Sequence, residues 1–102
     1  MIHSEIQNKL PLVVKLFEKY KVTRAFLFGS AITDQFNSES DVDFLVNFRD
    51  DLPPLEKGEA LLDLQIALED TLHRNIDLLT ENSLKNPYFI EELNEKKVKI
   101  YE

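Results

Sequence analysis

Three aspartates and a Gly-Ser pair carry the chemistry this chain could perform. Asp41 and Asp43 stand at the head of the run "DVDFLVNF", Asp77 lies inside "NIDLLT", and Gly29 and Ser30 close "VTRAFLF". On an extended backbone, residues two apart share a face and lie roughly 6.6 Å apart along the strand. Asp41 and Asp43 could therefore reach one hard cation or bracket two of them. Left unpaired, the two carboxylates would repel each other and raise at least one pKa. Asp77 is the obvious third carboxylate if its strand is a neighbour. Three carboxylates and phosphate oxygens would complete a two-magnesium site, with the metals roughly 3.5–4 Å apart on either side of an in-line phosphoryl displacement. Gly29 lets a backbone approach a phosphate closely. Ser30 offers a hydroxyl and an amide where a helix could begin, a favourable place for an anion.

Each signal also has a plainer explanation. An isolated Asp-x-Asp usually marks a strand start with solvated or turn-capping aspartates, and Gly-Ser usually marks a turn. A calcium loop fits poorly: counted from Asp41, the positions that an EF-hand gives to glycine and glutamate hold Val46 and Leu52. The glycine-rich Walker pattern is absent. The combination of strand, Gly-Ser, ten residues, Asp-x-Asp opening a strand and a later aspartate within a strand is more specific than any part of it.

The elements that must position these groups follow from the hydrophobic pattern. Ser4 followed by Gln7 resembles a capping box, and Ile6, Leu10, Val13, Val14, Phe17 and Tyr20 recur at helical spacing, which predicts a helix over roughly residues 4–20. Pro11 predicts a kink or a second helix start within it, because proline has no amide for the residue four earlier. "VTRAFLF" reads as a buried strand and residues 31–40 as a loop with one helical turn. "DVDFLVNF" is the second strand, with Asp41, Asp43 and Leu45 on one face and Val42, Phe44 and Val46 on the other. After the break at "DLPP", Leu61, Leu64, Leu68 and Leu72 predict a helix from about Glu56 to His73, weakened at Gly58. "NIDLLT" is a third strand, Pro87 opens a helix to about Lys96, and "KVKIY" is an edge strand guarded by lysines.

This order is too irregular for a doubly wound parallel fold, and the link between the first two strands suits a hairpin-like connection. The expected fold is α/β in the α+β sense: a mixed four-stranded sheet with helices packed mainly on one face. At 102 residues the chain reads as one domain, 1–102, long enough for an ordinary core. It is 43% hydrophobic and 30% charged, with no apolar stretch near the ~18 residues of a membrane span, so no membrane role is expected. The first residues lack the basic start and apolar core of a signal peptide, and there is no cysteine for a disulfide or thiolate site. A cytoplasmic protein is the natural reading. The net charge of −7, without a basic stripe, disfavours nucleic-acid binding. It does not exclude a nucleotide, which a divalent cation can bring to an acidic site. An exposed edge strand on a small fold makes a homodimer a general expectation.

Gly29-Ser30, ten intervening residues and Asp41-Val42-Asp43 match the G-S-x10-D-x-D signature, and the chain resembles the DNA polymerase β-like nucleotidyltransferase superfamily. In particular it resembles the small stand-alone members, the minimal nucleotidyltransferases (MNT). The resemblance runs from "LFGS" through "SDVDFLV" and "NIDLL" to "NPYFIEELNEKKVKIYE". It implies that Gly29 and Ser30 hold the β- and γ-phosphates of a nucleoside triphosphate. Asp41 and Asp43 would bind Mg²⁺, and Asp77 would complete the metal site and help deprotonate an acceptor hydroxyl. The implied reaction is transfer of AMP from ATP, with release of pyrophosphate. In that family a frequent partner is a small helical HEPN protein, the two acting as antitoxin and toxin, and a tyrosine hydroxyl of the partner can be the acceptor.

One departure stands out. Many relatives carry arginine soon after Gly-Ser, whereas this chain has "AITDQF" with acidic Asp34. Arg49, Lys57, Arg74 and Lys85 could substitute, and each also reads as an ordinary solvated charge. His3 and His73 lack ligand-like spacing and read as surface residues. Phe36 could cover a base or simply pack. A degenerate phosphate loop motivates the alternative of a non-catalytic nucleotide- or partner-binding module of the same fold. Transfer to a small molecule such as an aminoglycoside is weaker still, because relatives of that type usually carry an added acceptor-binding domain.

Overall fold

The computed structural model describes residues 2–102. In chain order these form α1 (Ser4–Gln7), α2 (Leu10–Lys19), β1 (Val22–Phe28), a 3-10 turn (Gly29–Ile32), β2 (Val42–Phe48), α3 (Pro54–Leu72), β3 (Ile76–Thr80), a second 3-10 turn (Glu81–Ser83), α4 (Pro87–Lys96) and β4 (Val98–Tyr101). The four strands make one mixed sheet in the order β3-β2-β1-β4. β1 runs antiparallel to β2 and β4, and β2 runs parallel to β3. The expected hairpin-like link and the edge position of "KVKIY" are both present. α3 is the crossover that parallel strands require.

Strand alternation divides the side chains between two unequal faces. Ala25 and Leu27 of β1, Val42, Phe44 and Val46 of β2, and Ile76 and Leu78 of β3 point to the first face. There they meet Ile6 of α1, Val13 and Phe17 of α2, and Leu64, Leu68 and Leu72 of α3. Phe17 lies edge-on to Phe44, with ring centroids 6.0 Å apart. Burying a side chain of this size contributes roughly 1.5–3 kcal/mol, so this cluster is where most of the stability lies. The second face is thinner: Phe26, Leu45 and Leu93 are its buried members, with Phe28, Leu79 and Leu84 partly covered around them. α4 is the helix on this side.

The N-terminal helix does break at proline, for the reason the sequence gives. α1 stops at Gln7, and α2 starts at Leu10 with Pro11 in its first turn, where a missing amide costs nothing. The cap differs from expectation. His3, not Ser4, precedes the first turn, and its Nδ1 accepts from the Glu5 amide at 3.2 Å. His3 is also only partly exposed, with its ring 4.6 Å from that of Phe36, so it is not the surface residue its spacing suggested. α3 begins two residues earlier than its leucine spacing implied, because Pro54 suits a first helical position, and it ends at His73 in a left-handed conformation with φ 54°. α4 starts where Asn86 Oδ1 accepts from the amides of Tyr88 and Phe89.

The long loop before β2 is held by a residue that its own sequence does not announce. Arg74 follows α3 and has a side chain only 10% exposed. Its guanidinium donates to both carboxylate oxygens of Glu5, at 2.5 and 3.2 Å, and to the carbonyls of Asn37 and Ser40, each at 2.8 Å. It also lies 4.1 Å from the ring centroid of Phe36, which is buried. Arg74 is therefore not a solvated charge, and Phe36 packs in the core rather than covering a ligand. The same hydrogen bonds hold the Glu5 carboxyl below its usual range and the Arg74 guanidinium above its own.

Replacing Arg74 by methionine keeps much of the volume but strands Glu5 and two carbonyls. The expected cost is about 2 kcal/mol in chemical denaturation. A variant as stable as wild type would show that the loop does not depend on this clamp.

Candidate active site

The site lies at one end of the sheet, on its thin face. There the C-terminal end of β1 meets the N-terminal ends of β2 and β3. Pairing sets the positions: Phe28 lies opposite Asp43, and Asp43 lies opposite Asp77. Residues directly paired in a sheet point to the same side, so the two carboxylates stand next to each other. Asp43 is half-buried and Asp77 exposed. Asp41 precedes the first residue of β2 and is exposed. The strand start is fixed beside it by the Val42 amide, which donates to the Asn75 carbonyl at 3.0 Å.

This crowding has an electrostatic cost. Burial pushes the Asp43 carboxyl up to about 6, with the negative charges of Asp77 and Asp41 adding to the rise. The expected repulsion is therefore present, and it falls on the most enclosed member of the trio. Among the described residues no three His, Cys, Asp or Glu side chains, Asp41, Asp43 and Asp77 included, come together as a group that could hold a metal ion. The paired Asp43 and Asp77 offer only hard oxygen donors, the type that Mg²⁺ takes, and Mg²⁺ is commonly held by one or two carboxylates with water and substrate phosphates. The donor chemistry fits the ion.

Gly29 explains itself in three dimensions. Its φ is +73°, a region that L side chains rarely adopt, and a Cβ built there would run into Asp43 Oδ2 and stand 3.1 Å from Asp43 Cγ. The glycine thus leaves space for the carboxylate as well as turning the chain. Ser30 follows at the start of the 3-10 turn, half-buried, and its carbonyl accepts from the Thr33 amide at 3.0 Å and the Thr33 hydroxyl at 2.9 Å. The turn is thereby closed without using the Ser30 side chain. Structure brings Gly29, Ser30, Asp43 and Asp77 together, with Asp41 on the adjoining loop.

The four cations suggested as substitutes for a loop arginine do not serve that role. Arg49 pairs with its neighbour Asp51 at 3.0 Å, and Arg74 is committed to Glu5. Lys57 lines a cleft with Asn47 and Thr80, at the opposite end of β2 and β3. Lys85 is exposed beyond the C-terminal end of β3. The residues that sequence reading missed are on α4. Phe89, Glu92, Leu93 and Lys96 line a cavity of about 380 Å³ whose other wall is Phe28 and the turn from Gly29. Their spacing of three, four and seven is the signal that could have found them.

The chain has known counterparts in sequence and in fold. Residues 12–102 match the family described as polymerase beta, nucleotidyltransferase. A Methanocaldococcus jannaschii protein named as a candidate protein adenylyltransferase is 34% identical over 92 residues, covering 90% of this chain and 88% of its own. The protein adenylyltransferase MntA of Thermococcus cleftensis is 35% identical over 84 residues, 81% of either chain. Among solved structures, a candidate minimal nucleotidyltransferase superposes with a TM-score of 0.74 at 24% identity, covering 96% of this chain and 95% of that one. A complex of tri-AMPylated Shewanella oneidensis HEPN toxin with MNT antitoxin gives 0.65 at 21% identity, covering 93% and 71%. These two likenesses establish the shared fold.

Two outcomes follow from the crowding. Gly29→Ala must move either the turn or Asp43, and is expected to destabilise by about 1–3 kcal/mol in denaturant titration. A neutral effect would mean that the close approach is dispensable. The raised Asp43 carboxyl means that, between about pH 4 and 6, the folded protein keeps a proton that the unfolded chain has lost. Its contribution to stability is full below that window and is lost as pH rises through it. In metal-free buffer the melting temperature of Asp43→Asn should therefore gain on wild type by several degrees from pH 4.5 to 7.5. An advantage that does not change with pH would contradict this.

Proposed function

The chain belongs to the polymerase beta nucleotidyltransferase family, and on that premise we propose that it transfers AMP from ATP to a hydroxyl of a protein. The observation that carries the reading is the shared end of the sheet: a glycine with no room for a side chain, beside two adjacent carboxylates. A phosphate acceptor surface and an acidic pair are what nucleotidyl transfer needs in one place. The relatives named as protein adenylyltransferases support a protein as the acceptor.

In this reading Gly29 and Ser30 hold the β- and γ-phosphates, through a backbone that can approach closely and through a side-chain hydroxyl not needed to close the turn. Asp41, Asp43 and Asp77 hold two Mg²⁺ ions, which would supply charge neutralisation at the reacting phosphate. In the same reading the α-phosphorus lies at Asp43 and Asp77, which is supported by the close approach of Asp43 to Gly29 and its pairing with Asp77. Asp77, the more open of the two, faces the incoming acceptor and takes its proton. The acceptor oxygen forms a bond to the α-phosphorus, and the bond from that phosphorus to the bridging oxygen of the β-phosphate breaks. Pyrophosphate leaves with the electron pair. Orientation and electrostatic complementarity carry most of the rate, as in other phosphoryl transfers.

We take the acceptor to be a tyrosine of a HEPN-type partner, with this chain in the antitoxin role. The support is structural kinship with the MNT antitoxin in the AMPylated HEPN complex. Among the described residues no helix is long and apolar enough to cross a membrane.

The test is transfer of label from [α-³²P]ATP to a co-expressed HEPN partner in Mg²⁺ buffer. Wild type should label the partner, and Asp41→Asn/Asp43→Asn should lower the rate at least about a hundredfold while still binding the partner. Partner binding without any label transfer by wild type would favour the non-catalytic binding module.

A further inference from the structure

The cavity between the Gly29–Ile32 turn and α4 combines the Gly-Ser backbone with a positive charge that the loop after it lacks. Gly29, Ser30 and Thr33 form one wall; Phe89, Glu92 and Lys96 form the other. Residues 89, 92, 93 and 96 make a single stripe along the helix. Leu93 is buried, and Phe89 meets Phe28 edge-on with ring centroids 6.5 Å apart, so two contacts fix the rotation of α4 against β1. Lys96 is thereby held one turn beyond Leu93, at the same cavity. It is the only cation among the residues lining it. Between Ala31 and Ser40 the only charged residues are Asp34 and Glu39, both negative. A triphosphate tail resting on Gly29 and Ser30 therefore meets no positive charge from its own loop.

Lys96 is available for that role. Its ammonium pairs with Glu92 at 3.1 Å, but the two side chains are 66% and 64% exposed. A solvated pair of this kind is weak, and a phosphate with more than one negative charge competes with it readily. Asp43 and Asp77 do not line this cavity. It borders the Gly-Ser turn, so a phosphate chain that starts at Asp43 and Asp77 and passes over Gly29 and Ser30 would end against it.

We infer that Lys96 is the specificity residue for the triphosphate: its ammonium leaves Glu92 and binds the terminal phosphate of a nucleotide seated on Gly29 and Ser30. The inference rests on the nucleotidyl-transfer reading of the same site. It assigns the missing phosphate-loop cation to α4, and gives Glu92 a measurable role as the competitor that nucleotide must displace. Lys96 thus reads the number of phosphates without touching the base.

Calorimetric titration in Mg²⁺ buffer with AMP-PNP and, separately, AMP tests this on wild type, Lys96→Ala, Lys96→Arg and Glu92→Gln, with Lys57→Ala as a remote control. Lys96→Ala should weaken AMP-PNP about tenfold and leave AMP unchanged, and Lys96→Arg should recover most of the loss. Glu92→Gln should tighten AMP-PNP about two- to threefold, the opposite sign to a variant that merely damages the helix. Equal AMP-PNP affinity for wild type and Lys96→Ala would overturn the role of Lys96 alone. Wild type that binds neither nucleotide would overturn it together with the nucleotidyl-transfer reading. Equal weakening of AMP and AMP-PNP would also overturn it, because Lys96 would then not report the terminal phosphate.

Discussion

Parallel pairing of β2 with β3 places Asp43 directly beside Asp77, and like charges in such a position repel. Nothing in the strands themselves relieves this. No hydrogen bond within the sheet compensates for two neighbouring carboxylates, and burial adds to the penalty on Asp43. The arrangement persists because it is fixed elsewhere: by the ladder on either side, by Val42 bonded to Asn75, and by the apolar residues that alternate with the acids. Local destabilisation maintained by the surrounding structure is a common property of functional sites.

The unequal faces of the sheet are the means of maintaining it. The first face is sealed by α1, α2 and α3, and its fully buried phenylalanines, leucines and valines hold the sheet together against the crowding of carboxylates at one end. The second face can then remain thin and partly open. α4 covers Phe26 and Leu45 but stops short of the carboxylates, leaving a floor with acids at one end and a cavity beside the Gly-Ser turn. A second thick layer on this face would bury the acids without partners, at a cost that neither desolvation nor repulsion would permit. Arg74 completes the frame from the other side, tying Glu5 of α1 to the loop that delivers Asp41.

Much of this was legible because it depends on period and spacing. The alternation in "DVDFLVNF" assigns Asp43 to the face opposite Val42, Phe44 and Val46, and the structure keeps that division. Pro11 and Pro87 mark helix starts because the first turn alone tolerates a missing amide, while Pro54, read only as a break, starts α3 for the same reason. What went astray involves long-range partners. Arg74 reads as a surface charge until Glu5, 69 positions away, closes on it. His3 reads as exposed until Phe36 packs against it. Local sequence has no period or motif for either contact.

By itself, then, the sequence determined the types and faces of the groups in the candidate site: a Gly-Ser turn, an Asp-x-Asp strand start and an isolated strand aspartate. Side-chain alternation along an extended chain leaves those faces little freedom. Only the tertiary structure decided which groups meet. Strand order put β3 against β2, so that Asp77 joined Asp43, and the packing of Phe89 and Leu93 turned α4 so that Lys96 lines the cavity beside Ser30. Register and helix rotation are set by contacts between residues distant in the chain, and their energies are not written in any short stretch of it.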